Sequence, residues 1–278
     1  MTKSKKTTDT QVEPSAKAPM HRACGYLPDT EEERASHKSH LTLVGAPARV
    51  PEEAMGLEAL VGEPLNQFYT SACVGEAIAK AVNTRLAAQG TPAPPFSGLG
   101  LYTLGRELGR HDAGDPILDS GSNPSTVIRA AAEWGIPFES SWPLDVDAHP
   151  ERINRDLPVD VLEDAITHEV KATYRINSYG ADRLTAIRTA IAQGYPIVFG
   201  TRVSDDFQAY AGGTLDPETK PGGGGHMLCL IGYSGNRFRG INSWGTSWGE
   251  CGLFWCSEAF LKDARADDFY VVTAGPRG

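Results

Sequence analysis

The clearest hydrophobic pattern lies in the second half of the chain. His226 opens an apolar run, residues 227–231, with a glycine on either side. A short apolar run between glycines is typical of a buried strand. Residues 237–241 are interpreted as its partner strand, because residues 234–236 between them have the composition of a tight turn. The pattern predicts a hairpin that brings His226 and Asn242 side by side.

A different period begins at Cys73. The apolar residues that follow recur every four positions, and a glycine ends the series: Val74, Ile78, Val82, Leu86 and Gly90. This spacing predicts a helix of roughly four turns that starts at Cys73. A thiol at a helix N-terminus lies at the positive end of the helix dipole, so we expect its pKa to be lowered.

The other patterns divide the chain into a helix-rich first half and a strand-rich second half. Further helices are predicted at 96–108, at 123–135, and from a cap at Asp182 to Gly194. Strands are predicted at 41–44, 172–176, 196–203, 226–233, 237–242 and 252–256. This order is typical of an α+β fold with two lobes, and a cleft between lobes is a natural substrate site.

Composition and charge argue against several classes of partner and location. The formal net charge of −9 comes without a basic stripe, which argues against nucleic acid as an obligate partner. No apolar run is long enough to span a membrane, and the first 20 residues lack the apolar core of a secretory signal. Five cysteines without regular spacing indicate a reducing compartment. We therefore expect a cytoplasmic protein.

Four residues are candidates for catalysis. An imidazole beside a side-chain amide, as expected for His226 and Asn242, can act in covalent catalysis if a nucleophile lies nearby. Cys73 is the candidate nucleophile. Gln67 stands six positions before Cys73. Taken singly, each residue has an ordinary structural explanation: a buried small side chain, a core histidine, a turn residue and a loop glutamine. Their joint occurrence favours catalysis.

Three motifs occur in one order along the chain. Gln67 and Cys73 come first, Gly225-His226 follows, and residues 242–252 read Asn-Ser-Trp-Gly-x-x-Trp-Gly-x-x-Gly. In these residues the sequence resembles the papain-like cysteine peptidases, which carry a Cys near the start and a His and Asn far downstream. Where the family usually has Cys-Gly-Ser-Cys-Trp, residues 70–74 read Thr-Ser-Ala-Cys-Val, as in bacterial or phage relatives.

The resemblance extends roughly from residue 25 to 272 and implies an architecture. We expect a disordered tail at 1–20 and a papain-like domain at 21–278. Within the domain, a helical lobe would cover about 65–140, and an antiparallel sheet or barrel would cover about 165–275, with the active-site cleft between the two lobes.

The resemblance also implies roles for the four candidates. The Cys73 thiolate would attack a peptide carbonyl and form a thioester acyl-enzyme. His226 would stabilise the thiolate and then protonate the leaving amine, and Asn242 would orient its ring. Gln67 and the backbone N–H of Cys73 would form the oxyanion hole. The expected activity is that of a cysteine-type endopeptidase.

Other residues are expected to face the substrate, which would be a peptide or a protein. Gly224 and Gly225 would let the substrate backbone approach closely. Trp244 would shield the His–Asn contact from water. Asp267 and Asp268 fall where the family's pocket wall passes, which implies preference for a basic side chain.

Neither a cofactor nor a metal is predicted. His226 and Cys229 are three positions apart, which places them on opposite faces of a strand, and the sequence contains no Cys-x-x-Cys pair. The glycines at 222–225 do not form a nucleotide-binding motif.

Two alternatives remain open at this stage. One is a catalytically idle papain-fold binding or structural protein, for example one associated with a virion. The other is a deamidase or isopeptidase that uses the same four groups.

Only 72 residues precede Cys73, fewer than the family's usual inhibitory prosegment needs. We therefore expect synthesis without a zymogen stage and control by location or by an unknown partner, in a virion or host cell if the protein is phage-encoded.

Overall fold

The computed structural model describes residues 22, 24–45, 50–110, 112, 114–168, 170, 172–217 and 223–274. The tail predicted at 1–20 lies outside the described residues. The remainder confirms an α+β fold, in which a group of helices packs against one large sheet.

Helices dominate the first half of the described chain. Over the whole described chain the helices are α1 (Glu31–Ser36), α2 (Leu41–Val44), α3 (Cys73–Ala88), α4 (Gly98–Leu108), α5 (Pro124–Trp134), α6 (Val159–Ala165), α7 (Gly180–Ala192), α8 (Asp205–Gln208) and α9 (Glu258–Lys262), with 3-10 turns at Glu58–Leu60 and Pro150–Asn154. The expected cap and proline of α5 are present, since Asn123 accepts from the N–H of Thr126 and Pro124 is the first helical residue.

The strands form one open sheet. They are β1 (Lys38–Ser39), β2 (Glu53–Ala54), β3 (Ala172–Arg175), β4 (Ile197–Arg202), β5 (Gly225–Ser234), β6 (Arg237–Ile241), β7 (Leu253–Ser257) and β8 (Asp267–Thr273). Their order is β1-β3-β8-β4-β5-β6-β7, and β2 pairs with the end of β5. All pairs are antiparallel except β1 with β3. We expected either a sheet or a barrel. The described strands form an open sheet.

The predicted hairpin is confirmed. Cys229 pairs with Ile241 at the end of β6, so the next residue, Asn242, leaves the strand close to the start of β5. Side chains alternate between the faces of a strand, which puts His226 and Asn242 on the same face as diagonal neighbours.

Helix α3 links the helical side to the sheet. It packs against α4 and α5 on one side and against β5, β8 and β4 on the other. Nearly all of its first two turns are buried. This position presents its N-terminal residue, Cys73, to the side of the sheet that carries strand β5.

Three sequence-based assignments need correction. Residues 41–44 form helix α2 rather than a strand, because the carbonyl of His40 accepts from both Leu43 and Val44 while Lys38–Ser39 makes the sheet contact. Helix α7 begins at Gly180, so Asp182 lies in its first turn, where a carboxylate favours the helix dipole. Strand β8 was not predicted, because it opens with two aspartates.

Among the described residues, no helix combines the length and apolar character that crossing a membrane requires.

Glu76, one turn after Cys73 on α3, is a buried carboxyl group. It is 3% exposed and its carboxylate lies against Gly98, where an added Cβ would overlap it. The pKa of Glu76 is raised to about 8, mainly by burial and also by nearby Glu139, while Lys80 opposes the shift. The folded protein therefore retains a proton that the unfolded chain loses near its ordinary pKa of 4.5.

We expect Glu76→Gln to stabilise the protein at pH 8 and to have a much smaller effect at pH 5. The folded-state pKa lies above the unfolded value, so wild-type stability falls as pH rises from 4.5 towards 8. The loss is at most about 1.4 kcal/mol per pH unit. Glutamine stays neutral and avoids this loss. Thermal melting at both pH values measures the difference.

The matched control is Glu163→Gln, at an exposed position of helix α6. It should shift the melting temperature equally at both pH values. A Glu76→Gln effect that did not grow with pH would contradict the assignment of a buried, protonated carboxyl group.

Candidate active site

Cys73 is the first residue of α3, and its side chain is 0% exposed. Burial is the main influence on the thiol and raises its pKa to about 12. The backbone N–H groups of Met227, Gly25 and Val74 favour the thiolate and oppose this shift. The expected lowering of the pKa is therefore wrong for this arrangement, because removing the thiolate from water outweighs the stabilisation by nearby N–H groups.

His226 and Asn242 meet as the hairpin predicts. The ring Nε2 lies 2.7 Å from Asn242 Oδ1. The same oxygen accepts the backbone N–H of Ser243 at 2.7 Å, so it is the amide oxygen that faces the ring. Nε2 must then carry the proton and donate, which leaves Nδ1 of the neutral ring as the proton acceptor.

The Nδ1 atom of His226 is buried, and among the described residues it has no hydrogen-bond partner. Burial lowers the pKa of His226 to about 4, although the bond to Asn242 favours the charged ring. The backbone N–H of the next residue, Met227, points at the Cys73 sulfur. The thiol therefore lies beside the strand that carries this imidazole, and both groups are neutral in the arrangement observed.

Gln67 is tied to the asparagine side of the site. Ser243 Oγ donates to Gln67 Oε1 at 2.7 Å, and the Gln67 backbone N–H donates to the Ser243 carbonyl at 2.8 Å. Gln67 Nε2 donates to the carbonyl of Thr70 at 2.7 Å. Ser243, next to Asn242, thus connects the glutamine loop to the His–Asn pair.

Aromatic rings enclose the histidine. Trp244 stacks on His226 with 4.6 Å between ring centroids, and Phe207 meets His226 edge-on at 6.2 Å. Trp248 holds Phe207 in position, because the indole N–H of Trp248 donates to the backbone carbonyl of Phe207 at 3.1 Å. These rings keep water from the His–Asn hydrogen bond, which strengthens it.

A segment from the beginning of the described chain crosses the site. We call residues 24–27 the strap. Tyr26 N–H donates to the carbonyl of Gly225 on β5 at 2.9 Å. On the helical side, Ser122 exchanges two backbone hydrogen bonds with the strap, at 2.8 and 3.0 Å, and pairs with Tyr26 in a parallel bridge. The strap is therefore bonded to both walls of the cleft.

The two glycines expected to face a substrate contact the strap instead. An added Cβ at Gly224 would overlap Cys24, and one at Gly225 would overlap the Tyr26 carbonyl. The close backbone approach expected at these glycines is thus made by the protein's own chain. Cys73 and His226 are both 0% exposed, so a peptide does not reach them in this arrangement.

Arg22, which precedes the strap, covers a further part of the site. Its guanidinium carbon lies 5.4 Å from the centre of the Trp244 ring, and Nη2 donates to Ser247 Oγ at 3.3 Å. Its backbone N–H donates to Gln208 Oε1 at 3.2 Å. Trp244, expected to lie at the substrate, is covered by this residue.

Asp267 and Asp268 do not form an open pocket wall. Asp268 is 0% exposed and accepts from the Tyr26 hydroxyl at 2.7 Å and from Arg34 Nε at 2.9 Å. Asp267 pairs with Arg34 at 2.9 Å and with Arg175 at 3.2 Å. The expected preference for a basic substrate side chain loses its basis, because these carboxylates anchor the segment that carries the strap.

Within the ranges that the structure describes, no three His, Cys, Asp or Glu side chains converge in a metal-binding group.

The sequence reasoning missed three parts of this site. Ser243 belongs to the Trp- and Gly-rich motif, but its bond to Gln67 joins residues 176 positions apart. Phe207 lies in a segment without a motif. In the strap, the only sequence feature is the pair Cys24-Gly25. This pair indicates no function until the tertiary structure shows where it lies.

Comparison with known proteins relates this chain to one family. Residues 124–265 match the family model for papain family cysteine proteases. Two curated relatives are an uncharacterized peptidase C1-like protein of Acanthamoeba polyphaga mimivirus, 28% identical over 55% of this chain and 52% of its own, and the cathepsin B-like CP3 of Giardia intestinalis, 31% identical over 51% and 48%. The chain spans about half the length of these relatives.

Among solved structures, xylellain, a cysteine protease from Xylella fastidiosa, superposes with a TM-score of 0.75. It is 23% identical, and the match covers 94% of this chain and 100% of xylellain. Because the sequence identity is only 23%, the similarity to xylellain shows a shared fold and nothing further. The family model, in contrast, matches just over half of the 278 residues. On that match, this chain belongs to the papain family of cysteine proteases.

Proposed function

We propose that this protein hydrolyses peptide bonds through a thioester acyl-enzyme on Cys73. The observation that carries the proposal is the 2.7 Å bond between His226 Nε2 and Asn242 Oδ1. This bond leaves Nδ1 as the base, and the adjacent strand residue, Met227, directs its N–H at the Cys73 sulfur.

In the proposed reaction, Nδ1 of His226 takes the thiol proton and the Cys73 sulfur attacks the carbonyl carbon of the substrate. The resulting imidazolium keeps its bond to Asn242 and gives the proton to the leaving amine. Water, deprotonated by the same Nδ1, then attacks the thioester. The acid leaves and the thiol is restored.

The developing oxyanion would be held by the backbone N–H of Cys73 and the side-chain amide of Gln67. Support comes from the rigidity of Gln67, which is 0% exposed and fixed by both Ser243 and Thr70. A donor that is already oriented needs no rearrangement when charge develops, which is why such groups are effective.

The strap would have to leave before the first step. With it in place, the pKa of Cys73 is about 12 and that of His226 about 4, so proton transfer between them is unfavourable. Desolvation is the first cause of both shifts. Water entering an open cleft would move both values towards their ordinary range and favour the ion pair.

An extended peptide is the substrate that the walls favour. Gly225 and Ser122 offer backbone groups on opposite sides of the cleft, and they already hold the strap in this way. Deamidation, isopeptide cleavage and an idle binding role remain outcomes of the tests below. The boundaries of the two lobes, a cytoplasmic location and control by a partner also stay predictions.

Cys73→Ala should lower kcat/KM on an unstructured peptide by at least about 10³. The melting temperature should change little, because the substitution removes one small atom. An epoxide-type thiol-peptidase inhibitor should label wild type at Cys73, as mapped by mass spectrometry.

The control is Cys251→Ala, since Cys251 is an exposed free cysteine. This variant should keep both activity and label. Label at a different cysteine, or none, would favour the idle binding protein, and a large fall in melting temperature for Cys73→Ala would indicate a packing role.

Ser243→Ala should lower kcat by about 10- to 100-fold with little change in KM, because it leaves the buried Gln67 oxygen without the hydroxyl that fixes it. Ser243→Thr retains the hydroxyl and should restore most of the rate. If KM rises instead, or if threonine is as poor as alanine, Ser243 does not act by positioning Gln67.

Gly25→Ala should open the cleft. A Cβ at Gly25 would overlap the Ser71 carbonyl, so the strap cannot seat in its present position. Overpacking of this kind typically costs about 1–3 kcal/mol. We expect alkylation of Cys73 by iodoacetamide to accelerate at least about tenfold, and peptide hydrolysis to rise with it.

Gly56→Ala is the matched control, because nothing lies within 4 Å of a Cβ added there. Its alkylation rate should equal that of wild type. Equal rates for all three proteins would show that the strap does not limit access to Cys73.

A further inference from the structure

The closed cleft brings a second thiol to the catalytic one. Cys24 is partly buried in the strap, and its Cβ and Sγ lie over Gly224, two residues before His226. Its Sγ lies 3.9 Å from the Arg22 carbonyl, and the Gly224 N–H points at it. Cys24 and Cys73 are both free thiols in this structure.

Backbone connectivity limits how far apart the two cysteines are. The N–H of Gly25 points at the Cys73 sulfur, and the nitrogen of Gly25 is bonded to the carbonyl carbon of Cys24. Gly25 also packs on the carbonyl of Ser71, two residues before Cys73. A negative charge on Cys24 raises the pKa of Cys73, which agrees with two neighbouring sulfurs.

Disulfides form between cysteines whose Cα atoms are typically 4.4–6.8 Å apart. Cys24 is bonded to the residue whose N–H faces the Cys73 sulfur, so the two cysteines are neighbours in the closed cleft. The link requires the Cys24 sulfur to turn from Gly224 towards Cys73, which rotation about χ1 allows.

We propose that Cys24 is a resolving thiol, and that a peroxide oxidant links it to Cys73 in a reversible disulfide that fixes the strap over the active site. The proposal concerns the thiol of the proposed function, but the linkage requires no peptide hydrolysis.

The chemistry balances with one peroxide molecule. When the strap lifts, the Cys73 thiolate attacks hydrogen peroxide and breaks its O–O bond, giving a sulfenic acid and hydroxide. When the strap reseats, the Cys24 sulfur attacks the sulfenic sulfur, the S–S bond forms, and water leaves. Two thiols lose two electrons in total, and the peroxide is reduced to two waters.

The disulfide would serve the enzyme in two ways. It stops Cys73 at an oxidation state that a thiol reductant reverses, before the irreversible sulfinic acid forms. It also converts the hydrogen-bonded strap into a covalently closed one, so oxidised protein is inactive until reduced.

The other cysteines offer poorer partners. Cys229 and Cys256 are fully buried within strands β5 and β7, where backbone pairing fixes them. Cys251 is exposed, on the turn before β7. Among these three, only Cys251 is open to solvent, which makes it the useful control for unspecific oxidation.

The test is oxidation of the full chain with one equivalent of hydrogen peroxide, followed by blocking of free thiols and non-reducing peptide mapping. We expect one cross-linked species that joins the Cys24 and Cys73 peptides and is 2 Da lighter than their sum. Dithiothreitol should release it and restore iodoacetamide labelling of Cys73. Because mapping needs no turnover, an inactive protein that forms this link would refute only the proposed peptidase activity.

Cys24→Ser should form no such link, and with a second equivalent of peroxide it should accumulate sulfinic acid, +32 Da, on Cys73, because this acid consumes two peroxide molecules. Cys251→Ser should behave as wild type. Wild type that proceeds to sulfinic acid at the same rate as Cys24→Ser, or that links Cys73 to a different cysteine, would overturn the proposal.

Discussion

The packing of α3 against β5 is the contact on which the rest of this structure depends. It carries a thiol from the helical side to an imidazole that lies 153 positions later in the sequence. The first two turns of α3 are almost wholly buried between α4 and the sheet. Burial of these apolar surfaces fixes Cys73, because a close-packed interior leaves the helix no room to shift relative to strand β5.

Around this contact, polar groups are arranged so that each fixes the next. The N–H of Ser243 settles which atom of Asn242 faces His226, and that atom settles which ring nitrogen carries the proton. The Ser243 hydroxyl holds Gln67. A chain of buried hydrogen bonds of this kind has one low-energy arrangement. A flipped Asn242 would face the Ser243 N–H with a second donor, and a flipped Gln67 would face the Thr70 carbonyl with a second acceptor.

The same burial that orders the site also keeps its thiol and its imidazole neutral. Water is excluded by the aromatic rings on one side and by the strap on the other, so neither Cys73 nor His226 favours its charged form. In the proposed mechanism, opening of the strap would change access and charge together. Asp268, which accepts from the hydroxyl of Tyr26 in the strap, would then affect chemistry that it does not touch.

Much of the fold and of the candidate site was readable from local pattern. The four-residue period identified α3, and the glycine-bounded run with its turn identified the β5–β6 hairpin, because both signals arise from neighbouring residues. Strand β8 was missed because its leading aspartates look exposed in sequence. They are held by Arg34 and Arg175, which come from distant parts of the chain.

By itself, the sequence indicated which residues are candidates for catalysis, and it placed Cys73 at a helix start and His226 on a strand. Only the tertiary structure decided their solvent access, their protonation and their ion pairing. The strap lies over Cys73, burial reverses the pKa shift expected from a helix N-terminus, and Asp267 and Asp268 become anchors rather than a pocket wall. The physical reason is that solvation and ion pairing depend on which distant segments exclude water from a group, and a local pattern contains no record of them.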